Sequence, residues 1–276
     1  MTLKTKIKNV LITGGTRGLG LEYARYLASR GYNIGLTDIS DKACQVYGEV
    51  DSVKDILDEL TSHGINAWYQ SANLIDPVQS DFLINSYLDH FGEIHAVITN
   101  AGGDISGDDL HAAGGKAENN SFFISYEEYN NIFKRNYDTC LNTLRSVLPH
   151  LVNQGYGKVI TVSSINAALG VEKETTYSIA KAAILQLTRS LATEVRKNGV
   201  NVNCIMPGPV RTERFKATLK GRNPHDLQHL KNKTRLERVA EPKDVSPVVE
   251  FLLSSGSDFI SGEIIKIDGG LFNQSI

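Results

Sequence analysis

Short apolar runs and helical patterns alternate along this chain almost without exception, and that alternation leaves few folds open. Asn9–Thr13 reads as a strand, Leu21–Arg30 as a helix ended by Gly31, and Asn33–Thr37 as a second strand, together a βαβ unit. The pattern continues with a helix at Val53–His63 closed by Gly64, a strand at Ile65–Ser71, and a helix at Pro77–Phe91 with Asp76 as N-cap and Pro77 in the first helical position. Ile94–Thr99 is a fourth strand. Ser125-Tyr126-Glu127-Glu128 has capping-box spacing and opens a long helix reaching about Val152, followed by a strand at Lys158–Ser163. Another long helix spans Thr176–Lys197 and stops at Gly199. Strand Asn201–Ile205, a Pro-Gly-Pro turn, a basic segment, a helix begun by Pro242 and a strand at Ile264–Ile267 complete the chain. The strands are of the buried type, so the expectation is an α/β fold: a doubly wound parallel sheet of about seven strands with helices on both faces.

No Pro/Ser-rich or charge-run linker divides the sequence, so residues 1–276 are expected to form one domain, and 41% hydrophobic content suffices for its core. A formal charge of −2 lacks the basic excess of a nucleic-acid binder and leaves small molecules as the expected partners. Cys44, Cys140 and Cys204 have neither CxxC nor Cys/His ligand spacing, which reads as reduced structural thiols and no metal site. Lysines interrupt the opening segment, and nowhere do eighteen apolar residues run together. The expectation is a cytoplasmic protein with no membrane partner.

Between the first strand and first helix lies Thr13-Gly14-Gly15-Thr16-Arg17-Gly18-Leu19-Gly20. A dinucleotide pyrophosphate needs backbone N–H groups at a helix N-terminus and glycines where side chains would block its approach, and Gly14, Gly18 and Gly20 fall there. The common G-x-G-x-x-G spacing is not met, because Tyr23 stands where its last glycine would be. A ligand-free tight turn is the plainer alternative, and Asp38 argues against it. At the end of the second strand, its carboxylate can accept hydrogen bonds from adenosine ribose hydroxyls and would repel a 2′-phosphate, so NAD(H) is favoured. Arg17 pulls toward NADP(H), because a guanidinium could pair with a 2′-phosphate, unless it is solvated or paired with an acid.

Tyr177 precedes Lys181 by one helical turn. A tyrosine of ordinary pKa, about 10, is a poor base at neutral pH, and an ammonium on the same helix face favours its phenolate. Ser164 follows a strand and so lies at the sheet edge where open α/β sheets bind ligands; capping or loop solvation is the plainer reading of Ser163 and Ser164. No nucleophile-elbow or Ser/His/Asp arrangement competes for these residues.

Together with Asn100-Ala101-Gly102, Asn136, Ser178-Ile179-Ala180, Pro207-Gly208 and Ile267-Asp268-Gly269-Gly270, these motifs resemble the short-chain dehydrogenase/reductase family over nearly the whole chain. The resemblance implies a Rossmann-type NAD(P)-dependent oxidoreductase that interconverts a secondary alcohol and a ketone. It implies Tyr177 as general acid/base, Lys181 as the group that lowers its pKa and binds the nicotinamide ribose, and Ser164 as the residue orienting substrate. Asn136 would hold a relay water. By the same carry-over the cofactor would meet Gly14, Thr16, Arg17, Gly18, Leu19, Gly20, Asp38, Ile39, Asn73, Leu74, Asn100, Ala101 and Gly102. It would also meet Tyr177, Lys181, Pro207, Gly208, Val210 and Thr212. Similar enzymes pack through the two long helices, which implies a homotetramer or homodimer.

The chain departs from the family pattern in several places. Thr99 replaces an Asn, Asn73 stands where Asp commonly meets the adenine amine, and His95 stands where Asp is commoner and reads as structural. Gly103–Ile124 is longer than similar proteins have here; its Asp104, Asp108, Asp109, His111, Lys116, Glu118, Asn119 and Asn120 suit a polyhydroxylated substrate, a metal, a subunit contact or a solvated loop. The segment 208–235 resembles a substrate lid, and its excess of Lys and Arg suits an anionic substrate or a solvated helix pair. The expected substrate is a polyol, sugar-derived or other small polar carbonyl compound. Two alternatives stand beside it: a 3-oxoacyl thioester reductase, and a dinucleotide-sensing regulator without catalysis.

Overall fold

The computed structural model describes residues 8–103, 122–172, 174–217 and 234–272. Its seven strands are β1 Asn9–Thr13, β2 Asn33–Thr37, β3 Ala67–Tyr69, β4 Ala96–Thr99, β5 Gly157–Val162, β6 Val200–Pro207 and β7 Ile264–Ile267. They form one sheet in the order β3-β2-β1-β4-β5-β6-β7, every pair parallel. The helices are α1 Gly18–Ser29, α2 Val53–Thr61, α3 Pro77–Phe91, α4 Tyr126–Phe133, α5 Thr139–Gln154, α6 Thr175–Val195, α7 Glu213–Ala217 and α8 Pro242–Leu253.

Alternation along β1 shows why helices cover both faces. Val10 and Ile12 point into one core with Leu21 and Leu27 of α1 and Val249 and Leu252 of α8, while Leu11 points into another with Leu83 of α3, Leu144 and Val147 of α5 and Ile184 of α6. All of β1 is buried, which is why the strand reads as a continuous apolar run. The chain crosses the sheet between β1 and β4, so their C-terminal ends open a crevice of the kind in which such sheets take ligands.

The expected fold is what the chain adopts, with instructive differences at element ends. The strand expected at Ile65–Ser71 shrinks to β3, an edge strand with one neighbour. Ser163 lies beyond β5, whereas β6 runs on to Pro207 because β7 pairs with it as far as Ile267. The helix expected to end at Lys197 is α-helical only to Val195, after which Arg196–Asn198 tightens into a 3₁₀ turn. The largest difference is the helix expected from Ser125 to Val152. The Ser125 capping box opens α4 as read, but Lys134–Asp138 is a π segment between α4 and α5. Hydrophobic periodicity does not register one extra residue in a turn, and such segments recur at functional sites.

Candidate active site

Three strand ends and one helix start interlock beneath the crevice. The Asn100 Nδ2 donates to the carbonyls of Thr13 and Gly14 at 3.1 and 3.0 Å, and the Ala101 N–H donates to Thr13 Oγ1 at 3.0 Å. β4 is thereby fastened to the turn after β1. Gly14 has φ +61°, and a Cβ there would lie 3.0 Å from Ala101 Cα. Gly20 is the tightest point: a Cβ would sit 2.0 Å from the Gly14 carbonyl oxygen. These two glycines let α1 begin directly against the backbone of its own turn, with no side chain standing between the amides and the cleft.

Asp38, at the end of β2, is 6% exposed and accepts from Thr16 Oγ1 at 2.7 Å and from the Ile39 N–H at 2.9 Å. The Arg17 guanidinium stands 3.6 Å from the same carboxylate and over the Tyr47 ring. The two residues that point to different cofactors are thus an ion pair, and Arg17 has the acidic partner that the sequence left as one of its options.

The Lys181 ammonium, buried, donates to the Val162 carbonyl at 3.0 Å and lies 5.7 Å from the Tyr177 ring centroid. Ser163 is buried and donates to the Lys181 carbonyl at 2.8 Å, tying β5 to α6. The neighbouring Ser164 lines the cleft and accepts from the Asn166 N–H at 3.3 Å. Both serines line the cleft, but the Ser163 hydroxyl is engaged by the Lys181 carbonyl.

Asn136 is fully buried in the π segment. Its Nδ2 donates to the carbonyls of Gly103 and Ile132, both at 2.9 Å, and its Oδ1 accepts from the Gly103 N–H at 2.8 Å. Both amide hydrogens are engaged, so the side chain fixes the Gly102-Gly103 backbone. A Cβ on Gly102 would lie 2.8 Å from Asn136 Oδ1 and 3.4 Å from Lys181 Nζ, so these groups converge on a glycine that nothing larger could replace.

A cleft of about 1390 Å³ joins these groups. That exceeds the roughly 300–1,000 Å³ usual for a single small ligand, leaving room for two side by side. Its lining includes Gly14, Arg17, Gly18, Leu19, Asp38, Ile39, Asn73, Leu74, Asn100, Ala101 and Gly102 on one side. Ser164, Tyr177, Lys181, Pro207, Gly208, Val210 and Thr212 line the other. Thr16, Gly20 and Asn136 do not line it; they act through Asp38, Gly14 and Gly103. The Asn73 Oδ1 accepts from the Ile75 N–H at 3.2 Å, which gives it a turn-forming duty beside any contact to ligand.

Sequence reasoning missed Tyr47, Asn166 and Glu174, which also line the cleft. Buried Glu174 stands at the N-cap position of α6 and accepts from the Asn166 Nδ2. Proximity in sequence to Ser164 and Tyr177 was the available signal for this pair; Tyr47 gave none. Of the basic segment, Arg214 lines the cleft against Gly103, Lys216 pairs with Glu213 at 2.5 Å, and Arg211 pairs with Glu241 at 3.4 Å. Residues 104–121 and 218–233, with most of the long loop and the lid, lie outside the described residues.

Several groups stand apart from the cleft. His95, 3% exposed, accepts the Asn9 N–H on Nδ1 and faces Glu93 through Nε2, and burial lowers its pKa; it joins β1 to β4 as a structural residue. All three cysteines are buried and free, and burial pushes the Cys140 and Cys204 thiols up to about 11. Among the described residues no cluster of three or more His, Cys, Asp or Glu could hold a metal, and no helix is long and apolar enough to cross a membrane.

A family model described as enoyl-(acyl carrier protein) reductase matches residues 14–272. The cyclohexanol dehydrogenase of Rhodococcus sp. strain TK6 is 30% identical over 270 residues, covering 96% of this chain and 96% of that protein. A 3-oxoacyl-(acyl-carrier-protein) reductase of Staphylococcus epidermidis is 26% identical over 265 residues, covering 96% and 99%. The crystal structure of levodione reductase superposes with a TM-score of 0.82 over 96% of this chain and 97% of that one; at 24% identity this likeness speaks for the fold.

Proposed function

From its membership of the short-chain dehydrogenase/reductase family, whose enzymes act on CH–OH and C=O groups with NAD(P)(H), we propose that this chain oxidises a small polar secondary alcohol or reduces the matching ketone. The observation that carries the reading is one cleft lined by the glycine turn and Asp38 at one end and by Ser164, Tyr177 and Lys181 at the other. The dinucleotide supplies hydride transfer when bound; every other duty falls to the protein. Asp38 and the Leu19 amide would hold its adenosine and pyrophosphate, while Lys181, Val210 and Thr212 would hold the nicotinamide end.

Proton movement then belongs to Tyr177. In the oxidising direction its phenolate oxygen accepts the substrate hydroxyl proton, and in the reducing direction its hydroxyl donates one to the forming alkoxide. Lys181 stands beside the ring and favours the phenolate. Ser164 donates to the substrate oxygen and fixes its direction. Asn136 acts through the backbone it anchors; a relay water would sit on atoms other than its two amide hydrogens.

NAD(H) is the favoured cofactor. Asp38 presents a nearly buried carboxylate where a 2′-phosphate would fall, and Arg17 is engaged with that carboxylate. NADP(H) requires Arg17 to leave Asp38, and a kcat/KM ratio for the two cofactors decides between them. On the substrate side the Asn166–Glu174 pair favours hydroxylated compounds such as polyols or sugar derivatives. Arg214 in the cleft supports the second reading, a 3-oxoacyl thioester reductase, the activity named for the Staphylococcus relative. A homotetramer or homodimer through α5 and α6, a cytoplasmic location and a single domain complete the proposal.

The test is nicotinamide absorbance with purified protein across polyols, sugars, cyclic alcohols and 3-oxoacyl thioesters, with each cofactor. Turnover abolished in Tyr177→Phe, with cofactor binding retained, supports the reading. Turnover that survives in this variant overturns it, and cofactor binding without turnover of any kind favours a dinucleotide sensor.

A further inference from the structure

Behind the glycine turn, on the side away from the main cleft, a carboxylate makes contacts that the proposed chemistry does not use. Glu49, half-buried in the segment between β2 and α2, accepts the Gly18 N–H at 2.6 Å. The Glu213 backbone at the start of α7 stands beside the same carboxylate and lowers its pKa, and the two residues line one small pocket. Arg17, the N-cap of α1, makes no side-chain cap, so the first amide of that helix is met from 31 residues away in sequence. Gly18 and Thr212 face each other across this contact: a Cβ on Gly18 would lie 3.8 Å from Thr212 Cγ2, and both residues line the cleft.

We propose that Glu49 is a positioning residue that clips the glycine turn to the base of the lid and so holds Gly18 against Thr212 at the edge of the cleft that the dinucleotide would occupy. The clip rests on the dinucleotide reading given above. One carboxylate that accepts the Gly18 N–H and stands beside the Glu213 backbone ties together two segments distant in sequence, which neither achieves alone.

A purely stabilising role fits the electrostatics poorly. Burial raises the Glu49 pKa and the Glu213 carboxylate adds to the rise, while the Gly18 and Glu213 amides and Arg17 oppose it without cancelling it. A carboxyl group whose folded pKa lies above its unfolded value contributes stability only below the unfolded pKa, and that contribution is lost as pH rises through the folded one. Ionising this carboxyl group in place therefore costs the fold stability, and removing its charge does not lower stability on this account. Function and stability should respond to substitution in different directions.

The experiment measures NADH dissociation constants, kcat and melting temperature for wild type, Glu49→Gln and Glu49→Ala at neutral pH. The expected result is an NADH dissociation constant raised roughly tenfold in Glu49→Ala and less in Glu49→Gln, which keeps one acceptor oxygen, corresponding to loss of a charge-assisted hydrogen bond. At saturating cofactor kcat stays within a few-fold of wild type, and the melting temperature of Glu49→Gln does not fall. Unchanged or tighter NADH binding in both variants overturns the clip while leaving the dinucleotide reading intact. A fall in binding matched by a lower melting temperature in both variants reduces Glu49 to a structural residue. Wild-type protein that binds neither NADH nor NADPH overturns both.

Discussion

At one end of the cleft much of the framework is backbone: the turn after β1, the start of α1, and the 101–103 backbone held by Thr13 at Ala101 and by Asn136 at Gly103. At the other end, where the substrate is proposed to bind, side chains line it: Ser164, Asn166, Glu174, Tyr177 and Arg214. Backbone geometry survives any substitution that keeps the turn, whereas a wall of side chains changes with each one. The first end can therefore serve a common dinucleotide while the second is free to select among alcohols and ketones.

This contrast can be broken or sharpened, beginning where the effect is largest. Tyr177→Phe removes the oxygen proposed to transfer the proton and should lower kcat by roughly 10²- to 10⁴-fold with NADH affinity preserved, read by steady-state kinetics and fluorescence titration. Comparable loss of NADH affinity would mean that the two ends are not separable. Gly20→Ala attacks the backbone end, because its Cβ must displace the Gly14 carbonyl oxygen only 2.0 Å away. Overpacking of this kind destabilises by about 1–3 kcal/mol, so both melting temperature and NADH affinity should fall. An unaffected variant would show that the turn yields more easily than the contact implies.

A smaller effect is expected where one side chain intrudes on the backbone end. Asp38→Asn keeps the hydrogen-bond acceptor for Thr16 but removes the charge, and should shift the NAD-to-NADP ratio of kcat/KM toward NADP by roughly tenfold. An unmoved ratio would assign cofactor choice to Arg17 or to residues elsewhere. The mildest change is Glu174→Gln, expected to lower the preference for a cyclic diol over the matching mono-alcohol by roughly three- to tenfold, the worth of one ordinary hydrogen bond. Equal preference in wild type and variant would free the substrate wall from this pair.

Much of this architecture was legible from the chain alone. Buried strands and amphipathic helices differ in period, so their alternation announces a parallel sheet with two covered faces, and β1 proved buried along its whole length. The place of Gly14, Gly18 and Asp38 in the cleft was legible because each lies close in sequence to a strand end. Glu49, Asn166 and Glu174 were not, because a polar side chain on a connecting segment has no period, and its partner lies far along the chain or across a turn.

Asn136 marks the boundary between the two kinds of knowledge. Its residue type pointed to the active site, but the π segment that buries it and the hydrogen bonds that engage both its amide hydrogens come from packing between α4, α5 and the end of β4. Arg17 and Asp38 make the same point in charge: sequence set them against each other, and tertiary structure joined them at 3.6 Å. Local spacing along the chain determined the fold class, the cofactor turn and the Tyr177/Lys181 pair, because one helical turn or one strand end is enough to define each. Which carboxylate meets which amide was decided only in three dimensions, because hydrogen bonds and ion pairs act over a few ångströms of space without regard to separation in sequence.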